Sequence, residues 1–319
     1  MRPSFPIAEE SFIIYAAKQL KAAGIPSPAL DARLLLAYIL KLPMEKIISG
    51  DFSLNETQKE EYRKLILRRK NREPVSHIIG IREFWGMEFK VTKDTLDPRP
   101  DSETLIETAL HYFPLYCHSS AGGDPYSRVE EIHNRPSQPV VMDSRLRGND
   151  TLRELRILDL GTGTGCLLLS LLKEFPHSSG FAVDISAAAL IVAKENSVKH
   201  GLCERAKFIS GCWGEGLAEK FDLIVSNPPY IKKSELESLA PEVAFHEPEI
   251  ALDGGDDGLA CYRQIMPDIA RLLKPDGIAL LEIGQGQDLE NIIKENNLSL
   301  LSKHNDLAGI TRCLALKLQ

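Results

Sequence analysis

A chain of 319 residues with 43% hydrophobic content is long enough to bury a full core and to hold one large domain beside a smaller one. Its formal net charge of -7 argues against a protein that grips a nucleic-acid duplex along a basic face, which needs clustered lysine and arginine, and favours a protein or small-molecule substrate. The six cysteines, Cys117, Cys166, Cys203, Cys212, Cys261 and Cys313, lie apart with no C-x-x-C pair, so they read as reduced thiols and suggest neither a zinc site nor a disulfide framework.

Acidic Glu9 and Glu10 stand where a secretory leader carries basic residues, and no apolar run reaches the roughly 18 residues of a membrane span. The expectation is a cytoplasmic protein with no membrane partner. From Ala8 to Arg72 apolar residues recur at helical spacing (Phe12, Ile13, Ala16, Leu20, then Leu30, Leu34, Leu35, Tyr38, Ile39), and Pro26, Pro28 and Pro43 divide them into short helices. Residues 1–73 therefore read as a small helical bundle. Aromatic and β-branched residues around Gly80 and Gly86 (Ile78, Ile79, Ile81, Phe84, Trp85, Phe89, Val91) predict a connecting β-hairpin over 74–100. A helix is expected after Asp101, running to Tyr112.

The stretch 117–151 has no periodicity and is crowded with Gly, Pro, Ser, Asn and Asp, which predicts a disordered insertion. Its basic cluster of Arg145, Arg147 and Arg153 reads as part of a solvated insertion rather than an RNA contact. From Leu155 onward strands and helices alternate: strands at 156–160, 180–184, 206–210, 221–226 and 277–283, helices between them, and a final hairpin from 298–303 and 312–317. Such alternation predicts right-handed βαβ units, and so an α/β domain whose mostly parallel sheet of seven strands is covered on both faces.

Asp159-Leu160-Gly161-Thr162-Gly163-Thr164-Gly165 falls where a strand ends and a helix begins, so its glycines let the backbone turn tightly and approach a ligand beside exposed helix N–H groups. Asp184 ends the next apolar strand; it is either a carboxylate that accepts from both hydroxyls of a ribose or the N-cap of the following helix. Asp159 orients the glycine loop, attracts a cationic ligand centre, or does both. Trp213, after the third strand, either flanks an adenine ring or is a core residue.

Asn227-Pro228-Pro229-Tyr230 follows the fourth strand of the alternating series, at the end where open α/β sheets bind ligands. Consecutive prolines fix φ and withhold backbone donors, leaving carbonyls that can only accept. The Asn227 side-chain oxygen and the Pro228 carbonyl can together hold both hydrogens of an NH2 group, and Tyr230 can stack on its planar carrier and lie near a cation. Residues of this kind imply methyl transfer to a planar amide or amino nitrogen, with no metal and no covalent nucleophile.

Asp97-Pro-Arg-Pro-Asp-Ser-Glu103, the glycine turn, Asn227-Pro-Pro-Tyr-Ile231, Phe245-His-Glu-Pro248 and Asp253-Gly-Gly-Asp-Asp-Gly258 occur in the order seen in the HemK/PrmC family, which the chain resembles over nearly its whole length. These are the peptide chain release factor glutamine methyltransferases. The resemblance implies a Rossmann-like class I methyltransferase domain at 101–319, preceded by an N-terminal domain that recognises the substrate. It implies S-adenosyl-L-methionine as methyl donor, S-adenosyl-L-homocysteine as coproduct and class I release factors as partners. By position, Gly161, Thr162, Gly163, Thr164, Gly165, Asp184, Trp213 and Asn227 would bind the cofactor; Asn227, Pro228, Pro229 and Tyr230 would bind the glutamine, with Asn227, Pro228 and Tyr230 carrying the catalysis. Phe84 either closes over the cofactor or is a hairpin core residue. Two departures stand out: the 117–151 insertion, and Cys212 beside Trp213 where such enzymes often have an acidic residue. A DNA or RNA amino-methyltransferase shares the Asn-Pro-Pro-Tyr logic but needs a basic region to hold a flipped base; a noncatalytic cofactor-binding or ribosome-associated protein would be expected to have lost Asn227 or the glycine turn, and a nicotinamide dehydrogenase offers no reason for Asn-Pro-Pro-Tyr.

Overall fold

The computed structural model describes residues 10–114 and 154–319; the expected insertion at 117–151 lies outside the described residues. Four helices come first: α1 (Glu10–Ala22), α2 (Pro28–Leu40), α3 (Met44–Ser49) and α4 (Glu56–Lys70). Pro28 opens α2 and Pro43 caps α3, positions where a missing N–H costs nothing. Asn55 starts α4 with a capping box, its side chain accepting from the Gln58 N–H while Gln58 accepts from the Asn55 N–H. Phe12, Ala16 and Leu20 of α1, Ala32, Leu35 and Leu36 of α2, and Tyr62 and Ile66 of α4 face one another in a core of their own. The buried Tyr62 hydroxyl is satisfied by the Ala32 carbonyl at 2.9 Å.

The segment expected to be hairpin throughout begins instead with a short helix, α5 (Val75–Ile79), before the strands β1 (Ile81–Phe84) and β2 (Met87–Lys90). Pro74 supplies a fixed φ ahead of α5, and Gly80, at φ 75°, ends it in the left-handed conformation. These boundary residues override the β-branched composition. Helix α6 (Glu103–Tyr112) then leads into the sheet.

Seven strands form that sheet: β3 (Arg156–Leu160), β4 (Ser179–Asp184), β5 (Ala206–Ser210), β6 (Phe221–Ser226), β7 (Leu273–Glu282), β8 (Leu298–Asn305) and β9 (Thr311–Leu318), in the order β5-β4-β3-β6-β7-β9-β8. The first five are parallel, and β9 runs antiparallel between β7 and β8. Helices α7 (Cys166–Glu174) and α8 (Ala187–Lys199) form the first crossovers, and the short α9 (Pro241–His246) precedes α10 (Ala260–Leu272) and α11 (Glu290–Glu295). One face is packed by α6, α7 and the hairpin, the other by α10 and α11, so the central strands are apolar on both sides. The chain moves outward from β3 to β5 and returns to β6 on the opposite side of β3. That reversal opens a crevice at the carboxyl ends of β3 and β6, the place where α/β sheets bind ligands.

Candidate active site

Three glycines in left-handed backbone, Gly161 (φ 78°), Gly163 (φ 56°) and Gly165 (φ 81°), bend the chain from β3 into α7. A side chain at Gly165 would meet Ala193 Cβ at 3.2 Å and Leu169 Cδ1 at 3.3 Å, so this glycine permits the helix approach. The turn is held from both sides: Gly161 and Thr162 donate to the Val183 carbonyl, and Gly163 N–H donates to Asp184 Oδ2 at 2.8 Å. Asp184 Oδ1 accepts from Ser186 N–H, while the cap of α8 is Ser186, whose hydroxyl accepts from Ala189 N–H. The N-cap alternative for Asp184 therefore falls. Its carboxylate braces the glycine turn and, partly exposed, keeps lone pairs for further donors. Burial raises its pKa, against the hydrogen bonds from Ser186 and Gly163.

Asp159 is fully buried beneath the turn. Oδ2 accepts from the Thr162 hydroxyl at 2.6 Å, and Oδ1 is buried without a hydrogen-bond partner. Burial pushes this carboxyl up to about 7, against the Thr162 bond. Above the turn, half-buried Trp213, itself at φ 50°, lays its indole edge 3.4 Å from the position a Gly161 Cβ would take, and its Nε1–H donates to Gln264. Cys212 beside it is exposed. Thr164 is tied down by Asn196 of α8, whose Nδ2 donates to the Thr164 and Lys90 carbonyls while Oδ1 accepts from Lys90 N–H. One buried amide thus fastens the hairpin to the glycine turn. Phe84, 1% exposed and edge-to-face with Phe89, is a core residue of that hairpin and not a cover over the crevice.

Across the crevice, Ser226 at the end of β6 donates its hydroxyl hydrogen to the Leu160 carbonyl at 2.6 Å, which sets Asn227-Pro228-Pro229-Tyr230 directly beside the glycine turn. Asn227 Nδ2 donates to Ser102 Oγ at 3.0 Å, and Tyr230 Oη donates to Glu282 Oε1 at 3.1 Å. Neither Asn227 Oδ1 nor the Pro228 carbonyl accepts a hydrogen bond from any described residue. Glu282, 1% exposed at the end of β7, also accepts from Ser102 Oγ. Burial pushes its carboxyl up to about 7, the bonds from Ser102 and Tyr230 and the charge of Arg312 pulling the other way. The Tyr230 backbone is clamped in turn: Gln287 Nε2 donates to the carbonyls of Tyr230 and Gly258, and a Cβ on Gly254 would lie 2.7 Å from Tyr230 Cα. Glycine is therefore required in the loop after Asp253.

Residues 12–80 match the PrmC N-terminal domain family and residues 152–312 the methyltransferase domain family. The chain is 38% identical over 316 residues to the release factor glutamine methyltransferase of Rhodospirillum rubrum, covering 96% of this chain and 86% of that protein. It is 37% identical over 308 residues to the release factor glutamine methyltransferase of Agrobacterium fabrum, covering 96% of each. The chain belongs to the release factor glutamine methyltransferase family. A bifunctional methyltransferase of Rickettsia bellii is 36% identical over 315 residues, and there the chain spans only 54% of the relative's length.

The glycine turn, Asp184 and Trp213 thus lie on one side of the crevice and the Asn227–Tyr230 segment on the other, while Phe84 is buried in the hairpin core. Ser102, Glu282, Gln287 and Asn196 were not anticipated as individual residues. The family motif 97–103 held the signal for the first of them: Asp97 accepts from Ser76, Arg99 pairs with Glu247 at 2.5 Å, Asp101 with Arg312 at 3.2 Å, and Glu103 accepts from the Trp85 N–H. Each polar residue of that motif binds a different neighbour, so Ser102 is delivered to Asn227 by a turn anchored on both flanks. Among the described residues no group of His, Cys, Asp and Glu is placed to hold a metal, and no helix is long and apolar enough to cross a membrane.

Proposed function

We propose that this chain transfers a methyl group from S-adenosylmethionine to the side-chain amide nitrogen of the glutamine in the Gly-Gly-Gln motif of class I peptide chain release factors. The observation that carries the reading is the unengaged acceptor pair, Asn227 Oδ1 and the Pro228 carbonyl, beside a glycine turn braced by Asp184. When bound, the cofactor supplies a methyl group activated by a sulfonium. The residues present fit such a group: Gly163 meets nothing within 4 Å where a side chain would stand, Asp184 can accept ribose hydroxyls, Trp213 offers a ring over Gly161, and Asp159 keeps one oxygen unpartnered.

The protein's part is positioning. Asn227 and Pro228 accept both N–H hydrogens of the glutamine amide, which turns its lone pair toward the cofactor side of the crevice and reduces its delocalisation. Alignment of this kind is worth up to about 7 to 11 kcal/mol of barrier. A substrate that leaves either acceptor unpaired forfeits about 1 to 3 kcal/mol. Tyr230, held by Glu282, presents its ring beside the same pair. The helical N-terminal domain serves as the release-factor recognition unit, and what supports that role is its ion-paired link to the loop after the Asn-Pro-Pro-Tyr motif: Glu242 of α9 binds Arg69 and Arg72, each at 3.0 Å.

The test is labelled S-adenosylmethionine with a release factor, its Gly-Gly-Gln Gln→Ala variant, ribosomal RNA and DNA in parallel. Label confined to the intact release factor is the expected result. Label on nucleic acid alone would assign the same acceptor pair to a base amino group and overturn the proposal.

A further inference from the structure

Resting on that reading of the substrate, we infer that Ser102 and Glu282 are positioning residues that fix which end of the Asn227 amide faces the crevice, and thereby make the site select a side-chain amide over a carboxylate. Glu282 accepts through both oxygens, Oε1 from Tyr230 Oη and Oε2 from Ser102 Oγ at 2.5 Å. A serine hydroxyl has one hydrogen, and Ser102 gives it to Glu282, so toward Asn227 the same oxygen can only accept. It accepts from Asn227 Nδ2 at 3.0 Å. A flipped Asn227 would set its oxygen against a serine oxygen with no hydrogen left to give, and the chain Glu282–Ser102–Asn227 excludes it.

Polarity then passes outward. With Nδ2 engaged, Asn227 Oδ1 and the Pro228 carbonyl are left as acceptors with no hydrogen bond from any described residue. A glutamine side chain offers two N–H hydrogens to such a pair, whereas a glutamate offers only oxygens. Ser102 is 3% exposed and sits between Asp101, paired with Arg312, and the α6 residue Glu103, which accepts from the Trp85 N–H. The turn that carries it has no freedom to retreat. Without the Ser102 hydroxyl, Asn227 can rotate and present Nδ2 to a carboxylate, so amide selectivity is lost even though Asn227 itself remains.

The experiment is calorimetric titration of the full chain, saturated with S-adenosylhomocysteine, with a release factor and with its Gly-Gly-Gln Gln→Glu variant. The wild-type chain is expected to bind the glutamine form at least about tenfold more tightly. Ser102→Ala is expected to narrow that ratio by most of its value, with S-adenosylhomocysteine affinity unchanged, and Ser102→Thr, which keeps the hydroxyl, to restore it. General loosening of the site would weaken both forms in parallel; an unchanged ratio in Ser102→Ala overturns the inference. If the wild-type chain binds neither form, it is the substrate reading that falls, whereas equal binding of both forms by the wild-type chain overturns the inference, so the wild-type measurement tells the two failures apart.

Discussion

Replacing Asn196 with alanine tests how the glycine turn is held. Asn196 is fully buried and makes three hydrogen bonds: from Lys90 N–H at 2.7 Å, to the Lys90 carbonyl at 3.1 Å and to the Thr164 carbonyl at 2.9 Å. Alanine strands the buried Thr164 carbonyl, a loss of about 1 to 3 kcal/mol, and removes two further bonds worth about 0.5 to 1.5 kcal/mol each. The Lys90 bonds are only part-buried, so water offsets part of this and the expected loss in urea unfolding is about 2 to 4 kcal/mol. Asn196→Asp separates this account from simple loss of side-chain volume. Aspartate keeps the shape and the acceptor but turns a second oxygen toward two carbonyls, so it should destabilise at least as much as alanine. Both variants should also weaken S-adenosylhomocysteine binding, read by calorimetry, because Thr164 belongs to the turn. A loss below about 1 kcal/mol for alanine, or a near wild-type Asn196→Asp, would refute the reasoning.

Gly165→Ala forces a side chain at φ 81° and toward Ala193 Cβ; the left-handed cost alone is about 1 to 2 kcal/mol, and thermal unfolding with cofactor-product titration should show lower stability and weaker binding together. Gln287→Ala releases the Tyr230 and Gly258 carbonyls, so methyl transfer should slow while S-adenosylhomocysteine affinity stays within about twofold, a split that single-turnover kinetics beside calorimetry would expose. Glu282, Asp159 and Glu247 carry carboxyls that burial pushes up to about 7. The folded chain therefore binds these protons more tightly than the unfolded chain does, and the stability they contribute is complete below the unfolded carboxyl range and is lost as pH rises through about 7. Urea unfolding should show stability declining between about pH 5 and about pH 7.5, while activity rises because Glu282 accepts from both Ser102 and Tyr230 only when ionised. Stability that climbs across that window would contradict the assignment.

Where function depended on local sequence, the chain was readable before its structure. The glycines at 161, 163 and 165 need left-handed backbone wherever they occur in space, and Asn227-Pro-Pro-Tyr230 carries its acceptors in its own covalent structure. The apolar runs likewise marked all seven strands of the main sheet, unbroken in the central strands because these are buried on both faces. Partnerships made by topology were not readable. Ser102 and Glu282 are 180 residues apart, and only the placement of β7 beside β6 brings Glu282 under Tyr230 and the Ser102 turn. Asn196 reads as one polar residue in a helix until α8 packs against the hairpin. The helix at 75–79 was hidden because β-branched composition outweighed the boundary signals of Pro74 and Gly80, and Phe84 was legible as aromatic but not as 1% exposed.

The most direct test is a fragment mass spectrum of the release factor after incubation with this chain and S-adenosylmethionine. One added methyl group is expected, on the side-chain nitrogen of the Gly-Gly-Gln glutamine, and none when Asn227 is replaced by alanine. A methyl group on any other side chain or on the backbone, or full transfer by Asn227→Ala, would contradict the two-acceptor grip at the centre of the account.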